Sequence, residues 1–185
     1  KSISHSVQIR IWLLLTIIMV ILMILIGGVT RLTDSGLSMV EWRPLWGFLP
    51  PISQFEWNRV FELYMKSPEY IRKNKGMSLE EFKEIFFWEY FHRLWGRLIG
   101  IIFIIPLLFF IIVKKIPKSI LSKLFLILFL GGLQGFIGWW MVKSGLVNDP
   151  TVSQYRLTIH LSNALLILSL LIWVYLDVKE GVSQI

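Results

Sequence analysis

The chain has 185 residues, 55% hydrophobic and 17% charged, with a mean hydropathy of +0.66 and a formal net charge of +7. That profile fits a polytopic membrane protein and excludes an ordinary soluble core. Without cysteine it can form no disulfide, thiolate–metal site or cysteine nucleophile.

The positive charge is unevenly placed. Between Arg31 and Trp88, eight Lys/Arg balance eight Asp/Glu. The excess flanks the apolar runs, at Lys1 and Arg10, at Lys114, Lys115, Lys118 and Lys123, and at Lys143 and Arg156. Such placement marks an embedded protein and not one that grips nucleic acid. The chain opens on Lys1 with no initiator methionine, which reads as a fragment or a processed form.

The first spanning segment is predicted over residues 11–29, about the 20 residues that crossing hydrocarbon requires. No small-residue cleavage site follows it, so it reads as a retained helix and not a signal peptide. Residues 30–85 form a long outer loop. Its start, through Pro44, is rich in turn formers and small hydroxyls, and Pro50-Pro51 breaks it sharply. Two capping boxes follow, Ser53-x-x-Glu56 with Ile52 and Trp57 as a hydrophobic staple, and Ser78-x-x-Glu81 with Met77 and Phe82. Trp57, Val60, Phe61, Tyr64 and Met65 make a helical stripe suited to lying on a membrane surface.

The helix opened by Ser78 is expected to continue into the second span, residues 86–113, kinked at Pro106. After a basic turn, the third span covers residues 120–142, with Gly131, Gly135 and Gly138 on one face and Gln134 as its interior polar side chain. The fourth covers residues 157–176 and holds His160 and Asn163; the tail from Asp177 is polar and uninformative. The fold class is therefore all-α, an integral membrane four-helix bundle forming one domain over residues 1–185. The positive-inside rule puts both termini and the lysine turn in the cytoplasm, and the long loop outside.

Glu89 and His92 stand at i, i+3 at a membrane boundary, where ionisable groups are costly and functional by default. Helices two and four both enter from the outer side, which places His92 and His160 at similar depth. Each has a small residue at i+4, Gly96 and Ala164. Gly96 and Gly100 leave bare backbone below His92, against which a flat group could lie. Two imidazoles facing across a bundle are a usual way to hold haem iron. Arg93, Arg97 and Arg156 lie near the same boundary and could pair with haem propionates.

Blander readings stay open. A membrane histidine can simply bond a neighbour. Glu89 can be a salt-bridge partner of Arg93 at i+4. The arginines can snorkel to headgroups. The glycine stripe suits packing, and Gln134 an interhelical hydrogen bond. His5 reads as exposed and idle.

Four stretches, taken in order, resemble the haem A synthase family. They are Gly27 to Pro44 (GGVTRLTDSGLSMVEWRP), Phe87 to Arg97 (FWEYFHRLWGR), Gly132 to Leu146 (GLQGFIGWWMVKSGL) and Tyr155 to Leu161 (YRLTIHL). The likeness covers nearly the whole chain. Lack of cysteine in a long first loop is similar to the mitochondrial and alphaproteobacterial branch; other bacterial members carry a cysteine pair there.

The resemblance implies a membrane oxidase that converts the C8 methyl of haem O to the formyl group of haem A, for cytochrome oxidase. It implies eight helices in two pseudo-symmetric halves, each with a histidine pair. One half holds a haem b cofactor and the other is thought to hold the substrate. By the same token Glu89 matches the family's essential acid, and His92 and His160 its N-terminal pair. The implied setting is a bacterial or mitochondrial inner membrane. Implied partners are haem O synthase and either the second half or a homo-oligomer.

This sequence matches the N-terminal half only, which reads as the substrate half or a truncated piece. Two other classes remain beside the enzyme: a bis-histidine membrane electron carrier, and a non-catalytic assembly remnant. A transporter is disfavoured, since no broken-helix pair is present.

Overall fold

A computed structural model describes residues 3–42, 48–147 and 150–181, and side chains from Val7 onward, so His5, Arg43 and Pro44 lie outside what is described. Six helices occur in it: α1 (Ile3–Leu32), α2 (Gln54–Tyr64), α3 (Pro68–Arg72), α4 (Leu79–Ile112), α5 (Lys118–Gly145) and α6 (Gln154–Glu180). Helices α1, α4, α5 and α6 are long and apolar enough to cross a membrane. Large apolar side chains on them point outward, among them Leu25, Ile105 and Phe129, each more than 60% exposed. In water that would be untenable. In lipid it is the expected inversion, and the chain is a multi-pass membrane protein.

Helix α1 packs between α4 and α6, and α5 packs on α6, while α4 and α5 touch only lightly. The helices α4 and α6 thus stand diagonally across the bundle. The shared core runs through Leu13, Ile17, Phe103, Leu107, Leu124 and Leu171. Lipid tails are as apolar as leucine, so close packing and hydrogen bonds must hold the helices together.

Pro106 shows how this is done. A proline inside a helix leaves the carbonyl four residues earlier without its N–H donor. That carbonyl belongs to Ile102, and Trp12 of α1 donates its indole N–H to it at 2.9 Å. A neighbouring helix thereby satisfies a backbone group that lipid could not. Near the start of α5 and the end of α6, Lys123 meets Asp177 at 2.5 Å and lies 4.0 Å above the Trp173 ring. Asp177 is therefore part of α6 and of a helix clamp, not of an uninformative tail.

The outer loop folds as a layer on top of α4. Ser78 and Glu81 form the full capping box, and Met77 packs near Phe82. At Ser53 only half of the box forms. Its hydroxyl accepts from the Glu56 N–H, but the Glu56 carboxylate turns to Arg59 instead. The Ile52–Trp57 staple is absent, because Ile52 is 78% exposed while Trp57 packs edge-on to Phe86 at 5.1 Å. The α2 stripe does not lie on a membrane surface either. Trp57, Phe61 and Tyr64 close on Phe82 and Phe86 of α4, with Tyr64 and Phe82 fully buried. The short α3 was not anticipated. Its signals are the Ser67 cap, which accepts from Tyr70 N–H, and Pro68 in the first turn.

Candidate functional site

Helix α4 carries most of the candidate residues on two faces. On one face Glu89 is 3% exposed. Ser38 Oγ and the Met39 backbone N–H both donate to its Oε2 at 2.7 Å. Arg93, one turn on, donates to its Oε1 and also to Met39 O at 3.3 Å. The Arg93 guanidinium lies 5.1 Å from the Trp42 ring. Three donors from Ser38, Met39 and Arg93 thus converge on this buried carboxylate and hold it in place. Glu89 and Arg93 are indeed ion-paired, and together they clamp the start of the outer loop to α4.

The loop returns to α4 lower down. Tyr90 donates to Phe48 O at 2.7 Å, and Arg97 lies 5.5 Å over the Phe48 ring. Seven residues of helix separate Tyr90 from Arg97, roughly 10 Å of rise. The other side of the loop reaches α5. A Cβ on Gly145 would fall 2.8 Å from both terminal carbons of Leu37, so any larger residue there would push Leu37 aside. The loop therefore bridges α5 and α4 where those helices barely touch.

The second face of α4 presents His92 to α1. A Cβ on Gly27 would stand 3.2 Å from His92 Nε2. His160 of α6 lies in the same way on α5, where a Cβ on Gly138 would stand 3.1 Å from its Cε1. Each imidazole thus has a glycine seat on a neighbouring helix. His160 Nδ1 is buried with no hydrogen-bond partner among the described residues. Gln134 donates its amide to His160 O at 3.1 Å and lies 3.4 Å from His160 Nε2.

Arg156 donates to Trp140 O at 2.7 Å and lies 4.3 Å over that ring. The bare backbone expected below His92 is only partly there. Gly96 meets Met23 of α1, whose methyl would be 3.3 Å from a Cβ, whereas Gly100 opens on free space. Gly131 and Gly135 on α5 also have nothing near them.

Sequence reasoning missed three things. Ser38 and Met39 as partners of Glu89 had a signal only in the density of small hydroxyls after Thr30. Of Gly27-Gly28, only Gly27 meets a histidine; adjacency in sequence could not choose between them. The third is a buried acid in the outer layer. Glu69 is 2% exposed and accepts from Tyr64 Oη at 3.0 Å, while Asn74 donates to Tyr64 Oη at 2.7 Å. Burial pushes the Glu69 carboxyl up to about 7; the Tyr64 hydrogen bond opposes this, Glu89 adds to it, Lys73 opposes and Asp34 adds. Burial likewise raises the Tyr64 hydroxyl. No metal-binding group of three or more His, Cys, Asp or Glu occurs among the described residues.

The model of the family described as cytochrome oxidase assembly protein matches residues 10–184. The chain belongs to that family. Among similar curated proteins, one named Heme A synthase from Nitrosospira multiformis is 56% identical over 169 residues, 91% of this chain and 48% of that protein. Another of the same name from Parvibaculum lavamentivorans is 48% identical over 93% of this chain and 50% of its own length. A third, from Nitrosomonas eutropha, is 51% identical over 94% and 49%. The chain spans about half the length of the curated relatives it matches. No solved structure matches it.

Proposed function

We propose that this chain is the haem-holding half of a haem A synthase, with His92 and His160 as the residues that would hold the iron. The observation that carries this reading is the placement of the two imidazoles. They come from helices that stand diagonally across the bundle, and each rests on a glycine of a neighbouring helix. An imidazole nitrogen on His160 that is buried with no partner among the described residues also suits a metal-holding role. A bound haem supplies the iron and, if it is haem O, the C8 methyl group that is oxidised to a formyl.

The residues of the chain have separate tasks in this reading. Arg93, Arg97 and Arg156 place positive charge at the outer boundary, where propionates must stay because their charge cannot enter lipid. The Glu89 side chain, three residues before His92 on α4 and paired with Arg93, would, with a haem bound, stabilise positive charge developing on the substrate carbon in a medium of low dielectric. The outer loop, clamped by Glu89 and Arg93, excludes water from above. The protein lies in an inner membrane with both termini on the cytoplasmic or matrix side, and the haem O substrate reaches it there from haem O synthase. A haem b cofactor, the second half-length bundle or a second copy completes the enzyme.

The test is to purify the protein from haem-supplied cells and extract its porphyrin. Haem O or haem A supports the reading; haem b alone favours an electron carrier, and no Soret band removes the haem site altogether. In the complete enzyme, Glu89→Gln is then compared with Ser38→Ala, which loosens the loop but leaves the charge. Normal haem A formation by the Gln variant would rule out the electrostatic role.

A further inference from the structure

The outer loop climbs α4 as it runs. Phe48 lies low, its carbonyl accepting from Tyr90 Oη at 2.7 Å and its ring 5.5 Å from the Arg97 guanidinium. Trp57 packs one turn higher, on Phe86 at 5.1 Å, and Tyr64 a further turn up, on Phe82 at 4.9 Å. Residues 48–55 therefore lie at the foot of this climb. The length of α4 shows how low that is. Its 34 residues rise roughly 50 Å, against roughly 30 Å of hydrocarbon. The far limit of the hydrocarbon is marked by Lys114 and Lys115, just after the helix. Counting about 20 residues back from Ile112 puts the near limit at Arg93. Tyr90 then stands one turn above it, at headgroup level, with Phe48 beside it.

The composition of the segment suits that level. From Pro44 to Phe55 the sequence PLWGFLPPISQF has no charged residue, although eight Lys/Arg and eight Asp/Glu lie between Arg31 and Trp88. Leu49, Ile52 and Phe55 are 72%, 78% and 76% exposed. In water, three such side chains in one short segment would be a liability. The backbone is also poor in bare polar groups. Pro50 and Pro51 have no N–H, and Phe48 O is taken by Tyr90. Ser53 O accepts the Trp57 N–H at 3.0 Å, while the Ser53 hydroxyl caps α2. Irregular backbone tolerates an apolar layer where such groups are answered.

Below the segment the lipid-facing surface continues without a break. Tyr90, Arg97, Ile101, Ile104 and Leu108 recur at helical spacing and share one stripe of α4. Ile101, Ile104 and Leu108 are exposed, so the loop segment sits at the head of a stripe that faces acyl chains.

We infer that residues 48–55 are an interfacial anchor, which seats Leu49, Ile52 and Phe55 on phospholipid acyl chains at the face of the membrane where α4 begins. Segments of this kind bury their apolar side roughly 5–10 Å into the boundary of headgroups and acyl chains. The anchor holds the outer loop on the bilayer, as Glu89 and Arg93 hold it on α4. It is independent of the haem reading above.

Because the chain has no cysteine, Leu49→Cys and Ile52→Cys each give a single labelling site, at an exposed position that the fold does not depend on. Each is spin-labelled in the full chain, in nanodiscs of phosphatidylcholine and phosphatidylglycerol. Relaxation by oxygen is then compared with relaxation by a water-soluble nickel chelate. Phe129→Cys, facing outward from α5, is the lipid reference, and Lys66→Cys, exposed beyond the upper end of α2, is the aqueous one. Labels at positions 49 and 52 are expected to give an oxygen-to-nickel ratio well above that at position 66. A ratio equal to that at position 66 overturns the anchor, because the segment is then in water. Low access to both reagents overturns it as well, because a protein surface then covers these side chains. The unsubstituted protein carries a second measurement. A phospholipid bearing a diazirine on the acyl chain near the glycerol should attach to residues 48–55, read by mass spectrometry, and attachment confined to the spanning helices counts against the anchor.

Discussion

Glu69 offers a prediction independent of any haem. It sits in the outer layer, 2% exposed, with Tyr64 on α2, Lys73 beyond α3, Asp34 near the loop's start and Glu89 on α4 as its charged or titratable neighbours. Its carboxyl is pushed from 4.5 up to about 7. The raised value means that the folded layer prefers the neutral acid. Stability is then fully present below pH ~4.5, falls as pH rises towards 7, and levels off above that. A shift of this size corresponds to about 3 kcal/mol between those limits.

Glu69→Gln keeps the shape and still accepts the Tyr64 hydroxyl, but it cannot ionise. The variant should therefore stabilise the outer layer at pH 8 by about 1–3 kcal/mol, some of the full amount being lost to relaxation. At pH 5 the two proteins should be nearly equal. The assay is native-state hydrogen exchange of amides in α2 and in the first two turns of α4, read at both pH values. Local opening of such a layer is cheaper than unfolding the bundle, so the effect is confined there. Identical pH profiles for wild type and variant would show that Glu69 is ionised in the fold, and the reasoning from burial would fail.

Three further outcomes follow from single contacts. Trp12→Phe keeps the ring contacts with Phe103 and Phe110 but removes the donor to Ile102 O; it should lower bundle stability by about 1–3 kcal/mol in a denaturant series, whereas Phe at the outward-facing Trp173 position should cost less. Gly145→Ala forces Leu37 to move, because two of its carbons would stand 2.8 Å from the new methyl; limited proteolysis of the outer loop should accelerate, while Gly132→Ala, with nothing within 4 Å, should leave it unchanged. Glu89→Gln leaves the buried Arg93 without its counter-charge, a change that typically costs 3–5 kcal/mol, and the loop segment at Ser38 and Met39 should lose its exchange protection.

How much of this was legible in the sequence depends on what each signal encodes. Long apolar runs encode a span directly, since length alone matches hydrocarbon thickness, and the helices carrying His92 and His160 could be read that way. Periodicity encodes that a face is apolar but not what covers it. The stripe Trp57, Val60, Phe61, Tyr64 was therefore legible, yet its cover turned out to be Phe82 and Phe86 and not a lipid surface. Trp57 serves as the counter-example for the staple too: the local rule paired it with Ile52, but two aromatic rings from α4 offered more contact than one aliphatic neighbour. Glu69 was illegible because it is one of eight acids in a neutral segment, and only the fold brings Tyr64, Asn74 and Glu89 around it.

The polar residues inside the bundle show why pairing matters more than placement. Pro106, Gln134, Asn163 and His160 could each be located by position, but position left their roles open. In lipid every polar group must find a partner within the protein, so each such residue is half of a pair whose other half lies on a different helix. Trp12 answers Pro106 through Ile102 O, and Asn163 answers Gln134. Where that accounting leaves a histidine nitrogen over, as at His160 Nδ1, the described part of the bundle provides no partner. That remainder belongs to one of the two histidines that sit on glycine seats in diagonal helices. An ordinary packing role for either histidine would predict the opposite, a satisfied ring with a bulky neighbour, and that is the arrangement found for Trp12 and Trp95, whose indole N–H groups both end on carbonyls of the facing helix.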